Sequence, residues 1–250
     1  MKPTNKQDVK VALVTGGARR IGAGIVKQLH QAGFKVVIHC NHSLKEAHEL
    51  AVDLNKHRID SAFVLQRELC DGAAASEMIQ TIEDWAGRLD VLVNNASIFT
   101  RDDVIYADFS TWDILFNTNV KVPYLLSQAA RNLLSAQGGV IINITDIHAF
   151  KPLKGYSAYC QSKAALDMQT KAFACEFAPH IRVNAIAPGA IIWPENDNQL
   201  STLEQEKIIN QTALKCHGDP KFIAQTLLAM VENPFITGQT IKVDGGRSLF

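Results

Sequence analysis

The sequence predicts an α/β protein, with residues 1–250 forming a single doubly wound domain around a seven-stranded parallel sheet. Short apolar runs alternate with longer amphipathic segments, which is typical of right-handed βαβ units. Several of the short runs are apolar on both faces, as strands buried in a parallel sheet must be. The chain has 250 residues, of which 47% are hydrophobic and 20% charged. This composition is ordinary for one large soluble domain.

The predicted strands are 9–15, 35–39, 62–66, 90–94, 139–145, 181–187 and 240–243. Helical patterns separate them at about 20–32, 44–57, 73–86, 111–135, 157–177 and 219–232. The stretch 188–210 breaks this rhythm and is predicted to be a long loop. Long loops in compact domains are usually functional, so we expect a substrate lid at about 189–212.

Charge and cysteine content limit the possible classes of function. The 25 basic and 25 acidic residues give a formal net charge of zero, which argues against binding to nucleic acid or to a membrane surface. No apolar run is long enough for a transmembrane helix, and the polar N-terminus does not resemble a secretory signal. The cysteines are scattered and odd in number, which favours a cytoplasmic location; they are Cys40, Cys70, Cys160, Cys175 and Cys216.

The first strand leads directly into the glycine-rich sequence T-G-G-A-R-R-I-G at 15–22 and then into a helix. Such a turn lets backbone N–H groups approach a pyrophosphate at the helix N-terminus, as in Rossmann dinucleotide-binding domains. An ordinary tight turn is the alternative. The expected cofactor contacts in this turn are Gly16, Arg19, Arg20, Ile21 and Gly22.

The sequence after the second strand favours NADPH over NADH. A carboxylate that could hold the adenosine ribose of NAD is absent before Glu46. We expect Arg19, His42 and Ser43 to surround the 2′-phosphate, and His39 to contact the cofactor. The alternative is that these are solvated polar residues. No metal site is predicted, because His39, Cys40 and His42 lack a fourth ligand nearby.

Tyr159 and Lys163 are four residues apart, which places both side chains on one face of a helix. An ammonium group near a phenol favours the phenolate, so we expect Lys163 to lower the pKa of Tyr159. Tyr159 is then a candidate proton donor or acceptor near neutral pH. Asp146 lies upstream of this pair.

Five motifs in order along the chain resemble the short-chain dehydrogenase/reductase family. They are T-G-x-x-x-x-x-G, N-N-A-S at 94–97, Y-x-x-x-K at 159–163, P-G at 188–189 and V-D-G-G at 243–246. The resemblance implies that Lys163 also binds the nicotinamide ribose, that Asn119 completes a proton relay, and that the protein is a homotetramer, or at least a dimer. It also implies further cofactor contacts, namely Asn95, Ala96, Ser97, Tyr159, Pro188 and Gly189.

Two departures from the family pattern resemble its pteridine reductase branch. Arg20 replaces a glycine, and Asp146 replaces the usual serine thirteen residues before Tyr159. A serine hydroxyl can donate to a ketone, whereas an ionised carboxylate can only accept, which favours a substrate with N–H groups. N-A-S-x-F at 95–99 is also a feature of this branch, and it implies that Phe99 stacks on the pterin. The expected substrate contacts are Arg20, Ser97, Phe99, Asp146, Tyr159 and Trp193.

These observations predict an NADPH-dependent reductase that transfers a hydride to a C=N bond of a pterin or dihydropterin. Asp146, Tyr159, Lys163 and Asn119 are the expected catalytic residues. A generic carbonyl reductase, such as a 3-oxoacyl reductase, is the first alternative. A catalytically silent NADP-binding sensor is the second. Trp193 could wall the substrate pocket, brace the lid or contact another subunit.

Overall fold

Seven parallel strands form the central sheet of the structure, a computed structural model that describes residues 9–69, 71–102, 109–195 and 199–249. The strands are β1 (Val11–Val14), β2 (Lys35–Cys40), β3 (Ala62–Gln66), β4 (Val91–Asn94), β5 (Val140–Ile144), β6 (Arg182–Pro188) and β7 (Thr240–Val243). Their order is β3-β2-β1-β4-β5-β6-β7, and each neighbouring pair is parallel. The predicted doubly wound sheet is confirmed. The order reverses between β1 and β4, where such sheets open a ligand crevice.

Helices cover both faces of the sheet. They are α1 (Arg20–Gln31), α2 (Leu44–His57), α3 (Gly72–Ala86), α4 (Phe109–Phe116), α5 (Val122–Ala129), α6 (Arg131–Gln137), α7 (Ser157–Glu176), α8 (Thr202–Asn210) and α9 (Pro220–Glu232). The hydrophobic cluster on one face draws on α1, α2 and α9, and the cluster on the other draws on α3, α5, α6 and α7.

Strand β1 shows why the sheet is apolar on both faces. Ala12 and Val14 belong to the first hydrophobic cluster, while Val11 and Leu13 belong to the second. All four are at most 1% exposed. Complete burial of a Val or Leu side chain stabilises the fold by about 1.5–3 kcal/mol, so a polar residue on either face would disrupt the layer that packs there.

The single helix predicted at 111–135 is interrupted. Helix α4 is followed by a π-helical turn, Asn117–Lys121, and then by α5 and α6. The N–H of Val122 donates to the carbonyl oxygen of Asn117, five residues earlier. Pro123 follows and has no N–H to continue the α-helical ladder. The prediction of one continuous helix was therefore wrong, and the interruption places Asn119 at the π turn.

The prediction of a continuous loop over 188–210 was also wrong. Strand β6 reaches Pro188, and α8 occupies the second half of the stretch. Ser201 and Glu204 form a reciprocal capping box at the start of α8, a sequence signal for a helix N-terminus. Residues 196–198 of the predicted lid lie outside the described residues, as do 1–8, 70, 103–108 and 250. Within the described ranges, no helix is long and apolar enough to cross a membrane.

Candidate active site

The turn between β1 and α1 passes so close to the turn after β4 that side chains would not fit. Gly16 has φ +60°, which glycine adopts without steric cost. A Cβ atom on Gly22 would lie 2.7 Å from the side-chain nitrogen of Asn95 in the turn after β4. The Asn95 amide donates to the carbonyl oxygens of Thr15 at 2.8 Å and Gly16 at 3.1 Å. These contacts fasten the two turns together at the crevice between β1 and β4.

The first turn of α1 offers backbone donors to an anion. The first N–H groups of a helix have no acceptor within the helix, and the N-cap residue Arg19 makes no side-chain capping hydrogen bond. The cavity wall at this point is formed by the residues predicted for the cofactor turn, namely Gly16, Arg19, Arg20, Ile21 and Gly22. Helix donors, the positive end of the helix dipole and two guanidinium groups together suit a pyrophosphate.

Arg20 connects the glycine turn to the segment 189–195. Its φ of +55° is left-handed, which costs a non-glycine residue about 1–2 kcal/mol. Arg20 Nη1 lies 3.1 Å from a Glu195 carboxylate oxygen, and Nη2 donates to the carbonyl oxygen of Trp193 at 3.0 Å. Arg19 Nη2 lies 2.9 Å from the other oxygen of Glu195. The Trp193 ring packs against His217 with ring centroids 4.3 Å apart.

Of the three residues predicted at the end of β2 and just after it, only Ser43 lines the cavity. It is the N-cap of α2 and makes no side-chain capping bond. His42 is exposed and lies outside the cavity wall. His39 is 3% exposed; its Nδ1 accepts the N–H of Gly16 at 3.4 Å and its Nε2 donates to the carbonyl oxygen of Arg67 at 2.9 Å. His39 therefore supports the glycine turn from below, and burial lowers its pKa.

Strand β5 and helix α7 bring Asp146, Tyr159 and Lys163 together in the cavity wall. The Tyr159 hydroxyl donates to Asp146 Oδ2 at 2.8 Å. The other oxygen of Asp146 accepts the N–H of His148 at 2.8 Å, so a backbone group fixes the orientation of the carboxylate. Lys163 Nζ donates to the carbonyl oxygen of Ile144 at 3.0 Å and lies 5.8 Å from the centre of the Tyr159 ring.

The protonation of Tyr159 differs from the prediction. Burial raises the pKa of Tyr159 well above its ordinary value, and the charge and hydrogen bond of Asp146 raise it further. Burial lowers the pKa of Lys163 to about 8, against an opposing effect of Asp146. The expectation that Lys163 lowers the pKa of Tyr159 was wrong, because desolvation and a nearby anion both disfavour the phenolate. Tyr159 consequently keeps its proton at neutral pH.

Asn119 is 1% exposed and supports the site from outside the cavity wall. Its Oδ1 accepts the N–H of Ile98 at 2.9 Å, and its Nδ2 donates to Ser162 Oγ at 3.0 Å. The Ser162 hydroxyl donates to the carbonyl oxygen of Tyr159 at 2.7 Å. Asn119 therefore links the turn after β4 to the backbone of the helix that carries Tyr159.

A cavity of about 610 Å³ runs from the glycine turn to Asp146 and Tyr159. Phe99, Tyr156 and Trp193 contribute aromatic rings to its wall. Phe99 stacks on Tyr156 with centroids 4.5 Å apart and an interplanar angle of 12°, and it meets the Tyr159 ring edge-on at 4.8 Å. Five other residues predicted for the site also line this cavity, namely Asn95, Ala96, Ser97, Pro188 and Gly189.

Sequence reasoning missed several residues of the cavity wall, among them Arg101, His148, Lys154, Tyr156, Glu195 and Arg247. Most lie within a few residues of a motif, and that proximity could have identified them. Arg247 directly follows the V-D-G-G motif, whereas Glu195 lies six residues beyond P-G at 188–189, and only the fold shows that it reaches the cavity. Among the described residues, no group of three or more His, Cys, Asp or Glu side chains could hold a metal ion.

The strand order, the glycine-rich turn and a buried Tyr–Lys pair on one cavity define a Rossmann-type oxidoreductase. A family model described as Enoyl-(Acyl carrier protein) reductase matches residues 16–248. The chain belongs to the short-chain dehydrogenase/reductase family, which its motifs predicted.

Curated relatives and a solved structure resemble nearly the whole chain. The 3-oxoacyl-[acyl-carrier-protein] reductase FabG of Staphylococcus epidermidis is 35% identical over 242 residues, covering 95% of this chain and 98% of the relative. A 3-oxoacyl-[acyl-carrier-protein] reductase of Synechocystis is 33% identical, covering 96% and 98%. The crystal structure of FolM Alternative dihydrofolate reductase 1 from Brucella suis, in complex with NADP, is 36% identical with a TM-score of 0.90, covering 98% of this chain and 97% of that chain.

Proposed function

We propose that the protein reduces a pterin or dihydropterin, with Tyr159 as the proton donor and Asp146 as the acceptor of the pterin N–H groups. One observation carries this proposal: a carboxylate, not a hydroxyl, accepts the Tyr159 hydroxyl at 2.8 Å in the wall of the cavity. The similarity to FolM, which is named an alternative dihydrofolate reductase, supports the same proposal.

NADP(H) is the cofactor, and it supplies the hydride when bound. The first turn of α1, with Arg19 and Arg20, suits the pyrophosphate. Gly22 lies so close to Gly16 that a Cβ atom on it would collide with the Gly16 carbonyl oxygen. Ser43 lines the cavity at the N-terminus of α2, where a hydroxyl and the helix donors suit a 2′-phosphate. We propose that Lys163 also binds the nicotinamide ribose.

The chemistry of Asp146 favours a nitrogen heterocycle over a ketone. An ionised carboxylate has about four lone-pair positions and no donor. The contacts with Tyr159 and His148 use two of these positions. The others can accept the amino and ring N–H groups of a pterin. A ketone oxygen at the same place would instead develop negative charge next to the carboxylate of Asp146. This repulsion raises the barrier to hydride transfer.

The route of proton transfer follows from the raised pKa of Tyr159 and its hydrogen bond to Asp146. Tyr159 is buried beside an anion and therefore carries its proton at neutral pH. It can donate this proton to a ring nitrogen of the substrate as the hydride is added to the adjacent carbon. The resulting phenolate next to Asp146 is unfavourable, so Tyr159 regains a proton readily. We propose that Asp146 relays it.

The remaining substrate contacts come from the walls of the cavity. Phe99 lines the cavity, and we propose that the pterin stacks on its ring, where offset stacking adds about 1 kcal/mol. Arg20, Ser97 and Trp193 would bind its polar edge and close the pocket. The segments 189–195 and 199–212 would act as the lid.

We also propose a homotetramer. Phe109 and Trp112 on α4 and Met168 on α7 are large apolar side chains that are 76%, 41% and 62% exposed. Exposed apolar side chains grouped on helices often mark subunit interfaces. Light scattering after size-exclusion chromatography measures the assembly directly; a monomeric mass would contradict it.

The second candidate function is 3-oxoacyl reduction, which the 35% identity to FabG over nearly the whole chain favours. It predicts turnover of an acetoacetyl thioester and no preference for pterins. NADPH absorbance should therefore be followed with dihydrobiopterin, dihydromonapterin and dihydrofolate, beside the thioester, with NADH as the cofactor control. Oxidation with a dihydropterin supports our proposal. Oxidation with the thioester alone overturns it, and the matched variant Asp146→Ser should then retain full activity.

A further inference from the structure

The helix that carries Tyr159 has no capping side chain of its own. The N-cap of α7 is Tyr156, which makes no side-chain capping hydrogen bond. Capping side chains normally accept the N–H of the second or third helical residue. Here the acceptor comes from a residue 56 positions earlier: Asp102 Oδ2 accepts the N–H of Ala158 at 2.9 Å. The N–H of Asp102 also donates to the carbonyl oxygen of Gly155 at 3.1 Å.

Two more contacts join the same segments. Phe99 stacks on Tyr156, and Arg101 Nε donates to the Tyr156 hydroxyl at 3.2 Å. The start of α7 is therefore held by the side chains of Phe99 and Arg101, and by two hydrogen bonds of Asp102. Asp102 is not among the described residues that line the cavity, and its hydrogen bonds to Gly155 and Ala158 join it to the start of α7.

We propose that Asp102 is a positioning residue for Tyr159. Its carboxylate replaces the missing N-cap of α7, fixes the first turn of this helix, and so holds the Tyr159 hydroxyl at Asp146. A negative charge at a helix N-terminus is also favoured by the helix dipole. This inference rests on the proposed role of Tyr159 as proton donor and does not depend on which substrate is reduced.

The second oxygen of Asp102 supports a functional role. Within the described residues, Oδ1 is buried and has no hydrogen-bond partner. An unsatisfied buried oxygen destabilises a fold. Local rules of this kind are broken mainly at functional sites, where the geometry is needed for another purpose.

The test compares Asp102→Ala, Asp102→Asn and a control, Asp71→Ala. Asp71 caps α3 by the same type of bond, to the N–H of Ala74 at 2.9 Å, but α3 carries no residue of the site. We expect Asp102→Ala to lower kcat by about 10- to 100-fold, as misplacement of a reacting group does. The Kd for NADPH, measured by fluorescence, should stay within about twofold, since Asp102 hydrogen-bonds to Gly155 and Ala158 and not to the glycine turn.

Asparagine keeps an oxygen that can accept the Ala158 N–H, so Asp102→Asn should restore kcat to within about threefold of the wild type. Asp71→Ala should lower Tm without changing kcat. In Asp102→Ala the basic limb of the kcat–pH profile should also move to lower pH, because the bond between Tyr159 and Asp146 is weakened. A merely structural cap would change Tm and leave this limb in place.

The inference is overturned if Asp102→Ala has the kcat of Asp71→Ala, or if Asp102→Asn is as slow as Asp102→Ala. If the alanine variant does not fold, Asp102→Glu keeps the charge, displaces the oxygen and gives the same comparison. All variants are assayed with whichever substrate the wild type reduces, so failure with pterins refutes the proposed substrate and leaves this comparison intact. Full turnover by Tyr159→Phe would remove its premise and refute it.

Discussion

Replacing Asp146 with asparagine removes the charge that faces Tyr159 and keeps the shape of the side chain. Burial and Asp146 together raise the pKa of Tyr159, and Asp146 also raises the pKa of Lys163 against the effect of burial. Loss of the charge therefore lowers both pKa values. A hydrogen bond to a charged group contributes about 1.5–3 kcal/mol, and one pKa unit corresponds to about 1.4 kcal/mol. We expect the basic pKa of turnover to fall by about 1–2 units.

The assay is the pH dependence of kcat from about pH 6 to pH 11, followed by NADPH absorbance at saturating dihydropterin. Turnover at neutral pH should also fall by about 10- to 150-fold, because the amide cannot accept two substrate N–H groups as strongly as a carboxylate. Asp53→Asn makes the same change of charge at an exposed position on α2 and should leave the profile unchanged. A basic limb that stays in place or moves to higher pH in Asp146→Asn would refute our account of Tyr159.

Three further substitutions probe the cofactor turn and the lysine. A Cβ on Gly22 would lie 2.1 Å from the Gly16 carbonyl oxygen, so Gly22→Ala should weaken NADPH binding by about tenfold or more; a Kd within twofold by fluorescence would contradict this. Arg20→Gly removes the cost of a left-handed backbone but adds conformational freedom to the unfolded chain, so the free energy of unfolding, measured by thermal denaturation, should change by less than about 1 kcal/mol. The KM for dihydropterin should rise about tenfold, because the guanidinium is lost. Burial lowers the pKa of Lys163 to about 8 from its ordinary 10.5, so the unfolded chain binds this proton more tightly than the folded chain does. Charged Lys163 therefore lowers the free energy of unfolding below pH 8, and this effect disappears as the pH rises towards 10.5. Lys163→Met should therefore be inactive yet more stable than the wild type at pH 7 by about 2 kcal/mol, and calorimetry should find that this gain vanishes near pH 10.

The sheet could be predicted from the sequence because burial on both faces leaves a direct trace in each strand. Val11 to Val14 are all apolar since each of them faces one of two hydrophobic layers. The helix interruption at Asn117–Lys121 leaves only Pro123 as a trace, because a π turn depends on one shifted hydrogen bond within a segment whose apolar pattern is still helical. Helix α8 was missed for another reason: its capping box is visible in the sequence, but the segment has few apolar residues to suggest burial.

The site could be predicted only where its residues belong to local motifs. Tyr159 and Lys163 share a helix, and their spacing alone places them side by side. Their pKa values could not be inferred from spacing, since desolvation depends on the whole fold, and here burial and Asp146 together raise the pKa of Tyr159. His39 was expected to contact the cofactor. It lies in β2, and its buried side chain accepts a hydrogen bond from the Gly16 N–H. The pairing of Arg20 with Glu195 spans 175 positions, and no local pattern could indicate it.

Similarity over the whole chain does not decide between the two candidate functions. Identity to FabG is 35% and identity to FolM is 36%, so identity over the whole chain does not distinguish a ketone from a pterin. The choice depends on a few atoms in one cavity. At Asp146 the chain has an acceptor where ketone chemistry needs a donor. At Arg20 it keeps a bulky cation in a left-handed backbone position that glycine would occupy without strain. Either feature alone could be neutral variation. Both lie in the same cavity wall, and a flat, N–H-rich heterocycle between them would explain both the carboxylate and the strained arginine.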